Sequence, residues 1–268
     1  MRKKWKYYEN DNKEEAIKLE EKFNVNKLLA MIMANRGITE KNAEIFLNPN
    51  RHDFHDPFKM PDMEEAVNRI VKAIENNEKT IIFGDYDVDG ITSTTVLKSF
   101  LKDRGLDVGN YIPNRLKEGY GLNKDAIEKI AKNGYTLMIT VDCGITGNEE
   151  IEFAKSLGIE TIVTDHHEPA EELPNAIAVV DCKRKDNKYP FRELAGVGVA
   201  FKLTQAISIK LDLNEKEYLK YLDIVSIGTI SDIVPLVDEN RVITKLGLKL
   251  VRCTKNIGLK AILNEIRI

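Results

Sequence analysis

Cysteine is scarce and poorly placed for bonding: Cys143, Cys182 and Cys253 lie far apart, form no C-x-x-C pair and leave one over. That excludes a disulfide framework or a zinc knuckle, and reduced thiols are expected. Long apolar runs are missing too. The longest, Thr80-Ile81-Ile82-Phe83 and Ala176-Ile177-Ala178-Val179-Val180, are strand-sized, far short of the about 20 residues of a membrane-spanning helix. No bilayer role is expected. The start, Met1-Arg2-Lys3-Lys4-Trp5, is basic but runs into Tyr, Glu, Asn and Asp rather than an apolar stretch. It does not read as a secretory signal, so a cytoplasmic protein is expected. Nor is positive charge in surplus: 40 Lys and Arg face 43 Asp and Glu, a net charge of -3. Binding nucleic acid by bulk charge is thereby excluded, and any polyanion must be held by a local patch or by metal ions. No Gly-Lys dipeptide, G-x-S-x-G elbow or H-E-x-x-H helix occurs, which removes Walker-loop, serine-hydrolase and zincin readings.

What is present is enough apolar residue, 43% of 268 with 31% charged, for a real core in one large or two small domains. There is no internal repeat, low-complexity tract or long linker, so organisation rests on periodicity. Helical spacing dominates the first 80 residues, through Ala16, Ile17 and Leu19, then Leu28, Leu29, Met31 and Ile32, with Thr39 as an expected N-cap. An irregular stretch from Pro49 to Pro57, including His52 and His55 as expected surface residues, follows. A helix over 63–76 carries Ala66, Ile70, Ala73 and Ile74 on one face.

From Thr80 the pattern changes to short apolar runs alternating with amphipathic segments. Strands are expected at 80–83, 108–112, 136–141, 161–164 and 176–180, and helices at 92–104, 124–132 and 149–157, each followed by Gly105, Gly134 or Gly158. Further helices are expected at 201–209, 216–230 and 244–263. This alternation predicts an α/β fold: a doubly wound, mostly parallel sheet flanked by helices, with a helical extension over 1–60 and the α/β domain over 61–268. Ligands of such sheets bind at the carboxyl ends of the strands.

Three of those strand ends are acidic. The first runs into Gly84-Asp85-Tyr86-Asp87-Val88-Asp89-Gly90, the third into Asp142-Cys143-Gly144, and the fourth into Asp165-His166-His167. One Asp after a strand is an ordinary turn or cap residue. Three together repel one another unless cations neutralise them. Oxygen ligands with one or two imidazoles and no thiolate suit Mn²⁺ or Mg²⁺, and the number of acids suggests two ions acting on a phosphoryl group. A calcium loop starting at Asp85 fails, because its twelfth position, which should be Glu, is Val96. Gly196-Val197-Gly198 lacks the third glycine of a dinucleotide fingerprint; it is expected to make a tight turn that opens a helix at Phe201, anion binding being the lesser alternative.

These three strand-end motifs resemble the DHH phosphoesterase superfamily. Asn35-Arg36-Gly37-Ile38-Thr39, Phe46-Leu47-x-Pro49, Ile112-Pro113-Asn114-Arg115, Glu118-Gly119-Tyr120-Gly121-Leu122, Tyr189-Pro190-Phe191 and residues 194–203 narrow the likeness to the RecJ-type single-strand DNA exonucleases, over about 30–237. The resemblance implies that Asp87 binds a first Mn²⁺, that Asp89 binds a second, and that Asp142 bridges them. His166 and Asp232 complete the second site, and Asp85 or waters fill a first site left short because Phe83 stands where pyrophosphatase-like relatives carry His. Asp165 is implied to orient an imidazole from behind, His167 to hold or protonate the scissile phosphate, and Arg115 and Tyr120 to contact phosphate and base. The implied activity is metal-dependent 5′-to-3′ hydrolysis of single-stranded DNA to mononucleotides in repair and recombination, with helicase and single-strand-binding protein as partners. The likeness also implies that a further α/β domain and an oligonucleotide-binding barrel belong to such enzymes; neither is visible here. Hydrolysis of short oligonucleotides or cyclic dinucleotides, and a non-hydrolytic scaffold, stay as alternatives.

Overall fold

The computed structural model describes residues 12–266, so the basic stretch 1–5 lies outside the described residues. Two compact units divide after Asp53. The expected junction at 60/61 comes seven residues later, because Phe54 and His55 already pack within the second unit. The Phe54 ring is 5.3 Å from that of Phe201, and His55 Nε2 lies 2.8 Å from Asp238 Oδ1. His55 is therefore half-buried and tied down rather than a free surface residue, whereas His52 is exposed.

In the first unit, α1 (Lys13–Phe23), α2 (Lys27–Asn35) and α3 (Ala43–Leu47) bury Ala16, Leu19, Ala30, Met33, Ala34 and Ala43. Asn26 starts α2 by accepting the Leu29 N–H. Thr39 is not the cap expected of it. Its N–H is taken by Asn42 Oδ1 at 2.7 Å, which folds 39–42 into a turn and delays α3 to Ala43.

In the second unit, β1 (Thr80–Gly84), β2 (Val108–Tyr111), β3 (Leu137–Val141), β4 (Glu160–Asp165) and β5 (Ala178–Asp181) form one sheet in the order β2-β1-β3-β4-β5. Every neighbouring pair is parallel. Both faces are covered, which is why β1 and β3 are buried at every position and read as continuous apolar runs. Ile82, Leu137, Ile139, Val141, Ile162 and Val180 face one cluster with α4 (Met63–Glu75), α5 (Val88–Lys102), α8 (Gly196–Lys210) and α10 (Leu222–Ser231). Ile81, Phe83 and Met138 face the other, with α6 (Lys124–Lys132) and α7 (Asn148–Ser156). The Phe83 ring stacks on Tyr111 there, centroids 5.3 Å apart, on the face away from α5 and α8.

Two of the helices that start earlier than the sequence pattern indicates build the site. Asp87 caps α5, its Oδ1 accepting the Gly90 N–H at 2.9 Å, so Asp89 stands in the first turn of a helix rather than in a loop. The helix expected from Phe201 begins instead at Gly196, because its first amides are capped by a carboxylate from elsewhere in the fold. The expected 216–230 helix is broken into α9 (Lys216–Leu219) and α10, and the 244–263 helix into α11 (Asp238–Val251) and α12 (Ile257–Glu265).

Candidate metal centre

The sheet order reverses between β1 and β3: β2 lies to one side, and β3, β4 and β5 to the other. At such a switch point the loops leave in opposite directions and open a crevice at the strand ends. Asp85, Asp87 and Asp89 come from the β1 side of that crevice, Asp142 from the residue after β3, and His166 and His167 from the residues after β4. Asp232 follows the last turn of α10. Asp142, His166 and His167 each offer a ligand atom within 4.8 Å of one another, and so do Asp89, His166 and Asp232. His166 joins the two groups. Its Nε2 lies 3.1 Å from Asp142 Oδ1 and 3.7 Å from Asp89 Oδ2, and its Nδ1 lies 3.8 Å from Asp232 Oδ2.

The backbone holds these groups in place. Asp142 has φ +58°, a conformation that costs energy for a residue with a β-carbon and recurs at functional sites. Gly196 lets α8 come against it, since a β-carbon there would lie 2.6 Å from Asp142 Oδ1. Asp89 Oδ2 accepts the Gly196 N–H at 2.6 Å and Oδ1 the Val197 N–H at 2.9 Å. The anion on this helix N-terminus is thus the chain's own carboxylate, which corrects the expected tight turn. Gly228 of α10 closes the other side; a β-carbon there would meet Thr92 Oγ1 at 2.2 Å and Asp89 Oδ1 at 3.1 Å.

Asp165 is buried behind the crevice. Its Oδ1 accepts the His166 N–H at 2.7 Å, the His167 N–H at 3.2 Å and the His167 ring Nδ1 at 2.7 Å, while Oδ2 accepts the Ile145 N–H at 2.9 Å. Burial pushes its carboxyl up, but His167 and these amides hold it below the usual range. In return, the hydrogen bond to Asp165 lifts His167 to about 9. With Nδ1 engaged, His167 turns Nε2 toward Tyr120 Oη, 3.4 Å away.

The other expected residues sit around this centre. Asp87 belongs to neither group, and its carboxylate is partly used as a cap, yet its charge is felt at Asp142. Asp85 is buried, faces the amides of Tyr86, Asp87 and Gly121, and keeps Oδ1 without a hydrogen-bond partner. Tyr120, Tyr86 and His167 form edge-to-face pairs, with the Arg115 guanidinium 5.3 Å over the Tyr86 ring. Sequence reading missed Tyr86, and it missed Asp181. The signal for Asp181 was available, an acid directly after an apolar run: it ends β5 opposite Asp165, fully buried, with burial pushing it up to about 7.

The donor set fits hard divalent cations. Burial, then the charges of Asp87 and Asp165, push Asp142 up to about 9, and burial and Asp142 raise Asp89. His166 Nε2 is buried without a hydrogen bond. Carboxylates so crowded are comfortable only when protonated or when facing a cation. The pH consequence has a definite sign. A carboxyl raised in the folded state stabilises below its unfolded value of 3.8 and loses that contribution as pH climbs toward about 9. His167, raised to about 9, acts in the same direction. Asp165, lowered, acts only in acid. Stability of the metal-free chain is therefore expected to fall between about pH 5 and 8, and Mn²⁺ to restore it more at the higher pH, where protons no longer compete. Mn²⁺ at about 100 times its Kd gives about 2.7 kcal/mol, on the order of 5–10 °C in Tm. Thermal melts at both pH values check this; a larger shift at the lower pH would refute it.

Fold and site together define an open α/β protein that gathers acids and imidazoles at the carboxyl edge of a parallel sheet. The profile of the DHH family, N-terminal domain, matches residues 79–229, and the chain belongs to that family. It is 47% identical over 246 residues to the single-stranded-DNA-specific exonuclease RecJ of Bacillus subtilis, covering 91% of this chain and 30% of that one. A crystal structure of exonuclease RecJ bound to manganese superposes with a TM-score of 0.71 at 34% identity, over 77% of this chain and 52% of that one. RecJ of Thermus thermophilus in complex with Mn²⁺ gives 0.79 at 28% identity, over 94% of this chain and 35% of that one. The chain thus spans about a third to a half of the length of these relatives. Among the described residues, no helix is long and apolar enough to cross a membrane.

Proposed function

We propose that this chain hydrolyses phosphodiester bonds of single-stranded DNA with two divalent cations, Mn²⁺ or Mg²⁺, removing mononucleotides from the 5′ end in cytoplasmic DNA repair and recombination. The observation that carries the chemistry is the convergence of Asp89, Asp142, His166 and Asp232 from four separate elements onto one crevice. The substrate and polarity are supported by similarity to the RecJ exonucleases. A helicase or a single-strand-binding protein that delivers such a strand belongs to the same reading.

Asp89, Asp142, His166 and Asp232 would hold the ions, with Asp87 and the free Oδ1 of Asp85 available at the β1 side. When bound, such ions lower the pKa of water and neutralise phosphoryl charge. His167 is fixed through Nδ1 by Asp165 and offers Nε2 to a phosphate oxygen, as hydrogen-bond or proton donor. Arg115 is suited to a bidentate phosphate contact, and the Tyr86 and Tyr120 rings beside it to stacking on a base. The test is release of labelled mononucleotide from 5′-labelled and 3′-labelled single strands with Mn²⁺, beside a dinucleotide. Early release from the 5′ label is expected. Absence of metal-dependent release from every substrate would sink the proposal, and cleavage of the dinucleotide alone would replace its substrate.

A further inference from the structure

The loop that follows β5 is tightly braced. Asn187 Nδ2 donates to Cys182 O at 2.6 Å, Arg192 Nη2 to Lys183 O at 2.7 Å, and Arg184 pairs with both Asp62 and Asp186. This bracing fixes the backbone of Lys183, whose N–H is also held by Asp181 Oδ1 at 2.6 Å. Arg184 is consumed by Asp62 and Asp186. Lys183 is not: its side chain is 21% exposed and lies 3.7 Å from Glu168, a residue that is itself 78% exposed and directly follows His167. A pair 3.7 Å apart whose carboxylate is so exposed contributes at most about 1 kcal/mol, which a phosphate can displace. Glu168 adjoins His167, and Asp181, which holds the Lys183 N–H, lies opposite Asp165, so the ammonium group stands beside the carboxyl ends of β4 and β5.

Arg115 stands after β2, at one end of the sheet, and Lys183 after β5, at the other, with the acids and imidazoles of β1, β3 and β4 between them. Four strand spacings of about 4.8 Å separate the ends by about 19 Å. That separation of the strands they follow is several times the about 3.4 Å rise per nucleotide of a strand, which suits the two cations to different phosphates. We infer that Lys183 grips a second phosphate of the bound single strand, so that the strand lies across the carboxyl edge of the sheet from β2 to β5. This rests on the single-strand reading above and adds its path. A chain with a net charge of -3 needs such local cations if a polyanion is to approach a carboxylate-lined crevice.

The test is fluorescence polarisation of a labelled, phosphorothioate-linked oligodeoxythymidine on the full chain with Mn²⁺. Lys183→Gln is expected to weaken binding about fivefold and, from about 50 to about 200 mM salt, to reduce the slope of log affinity against log salt by about 0.7, one phosphate contact on a single strand. Lys183→Arg is expected to restore both. Lys79→Gln removes the same charge at the amino edge of β1, where its Nζ meets Asn133 O at 2.6 Å, and is expected to leave the slope unchanged. A Lys183→Gln slope equal to wild type, or an equal loss in Lys79→Gln, overturns the inference while leaving the single-strand reading intact. Failure of the wild-type chain to bind the oligonucleotide overturns both.

Discussion

Replacing Asp142 by asparagine is expected to reduce Mn²⁺-dependent nucleotide release by roughly a thousandfold or more, a loss of about 4 kcal/mol, while making the metal-free chain more stable. The two effects have one cause. Asp142 is buried, strained at φ +58°, 3.1 Å from His166 Nε2 and within the fields of Asp87 and Asp165. Such a carboxylate serves a cation and costs the fold. An amide of the same shape keeps the packing against Gly196 but cannot supply the charge. Above neutral pH, where the native carboxyl is being forced to ionise, the variant is expected to gain about 1–3 kcal/mol, the usual cost of an uncompensated buried polar group. Nucleotide release and thermal melts at about pH 8, side by side, check it. A variant that is inactive and also destabilised would show that Asp142 holds the structure rather than the chemistry.

The strands, their parallel arrangement and the acids at their ends were legible because each is a local signal: an apolar run, then Asp, then a helical period closed by glycine. What was not legible depends on residues far apart in the chain. Nothing near Asp89 announces that it caps α8, because its partners Gly196 and Val197 lie 107 and 108 residues away. The same bond explains why α8 begins five residues before the expected Phe201. Its glycines look like a turn until a carboxylate satisfies their amides. Likewise, the Asp- and Gly-rich segment after β1 reads as a loop by composition and is helical because Asp87 caps it. His55 reads as surface because its partners, Asp238 and Tyr189, come from the far end of the chain. Phe83 shows the reverse. Its alternation within β1 already assigns it to the opposite face from Ile82, where its ring stacks on Tyr111.

The largest stability effect is expected from Lys202→Met. Lys202 and Glu239 are a fully buried ion pair, Nζ to Oε1 2.9 Å, within one network: Lys202 also donates to His55 O at 2.6 Å, and Glu239 accepts the His55 N–H at 3.0 Å and the Tyr189 hydroxyl. The ammonium lies over the Phe54 and Tyr189 rings. Burial lowers its pKa, so the pair persists only because each charge answers the other. Removing the cation leaves Glu239 buried and alone, which is expected to cost about 3–5 kcal/mol, on the order of 6–20 °C in Tm for a unit of this size. Lys202→Met with Glu239→Gln is expected to recover more than half, since the uncompensated charge is gone. A loss below about 1 kcal/mol in the single variant would refute the argument. The residue next to Glu239 braces two loops that lead to the metal centre. Asn240, next to Glu239 in the first turn of α11, donates to the carbonyls of Glu193 and Pro235. One of those loops leads into the α8 amides that hold Asp89, and the other follows Asp232. Loosening Glu239 should therefore weaken Mn²⁺ binding in the single variant beyond its loss of stability, and the double variant should recover both together.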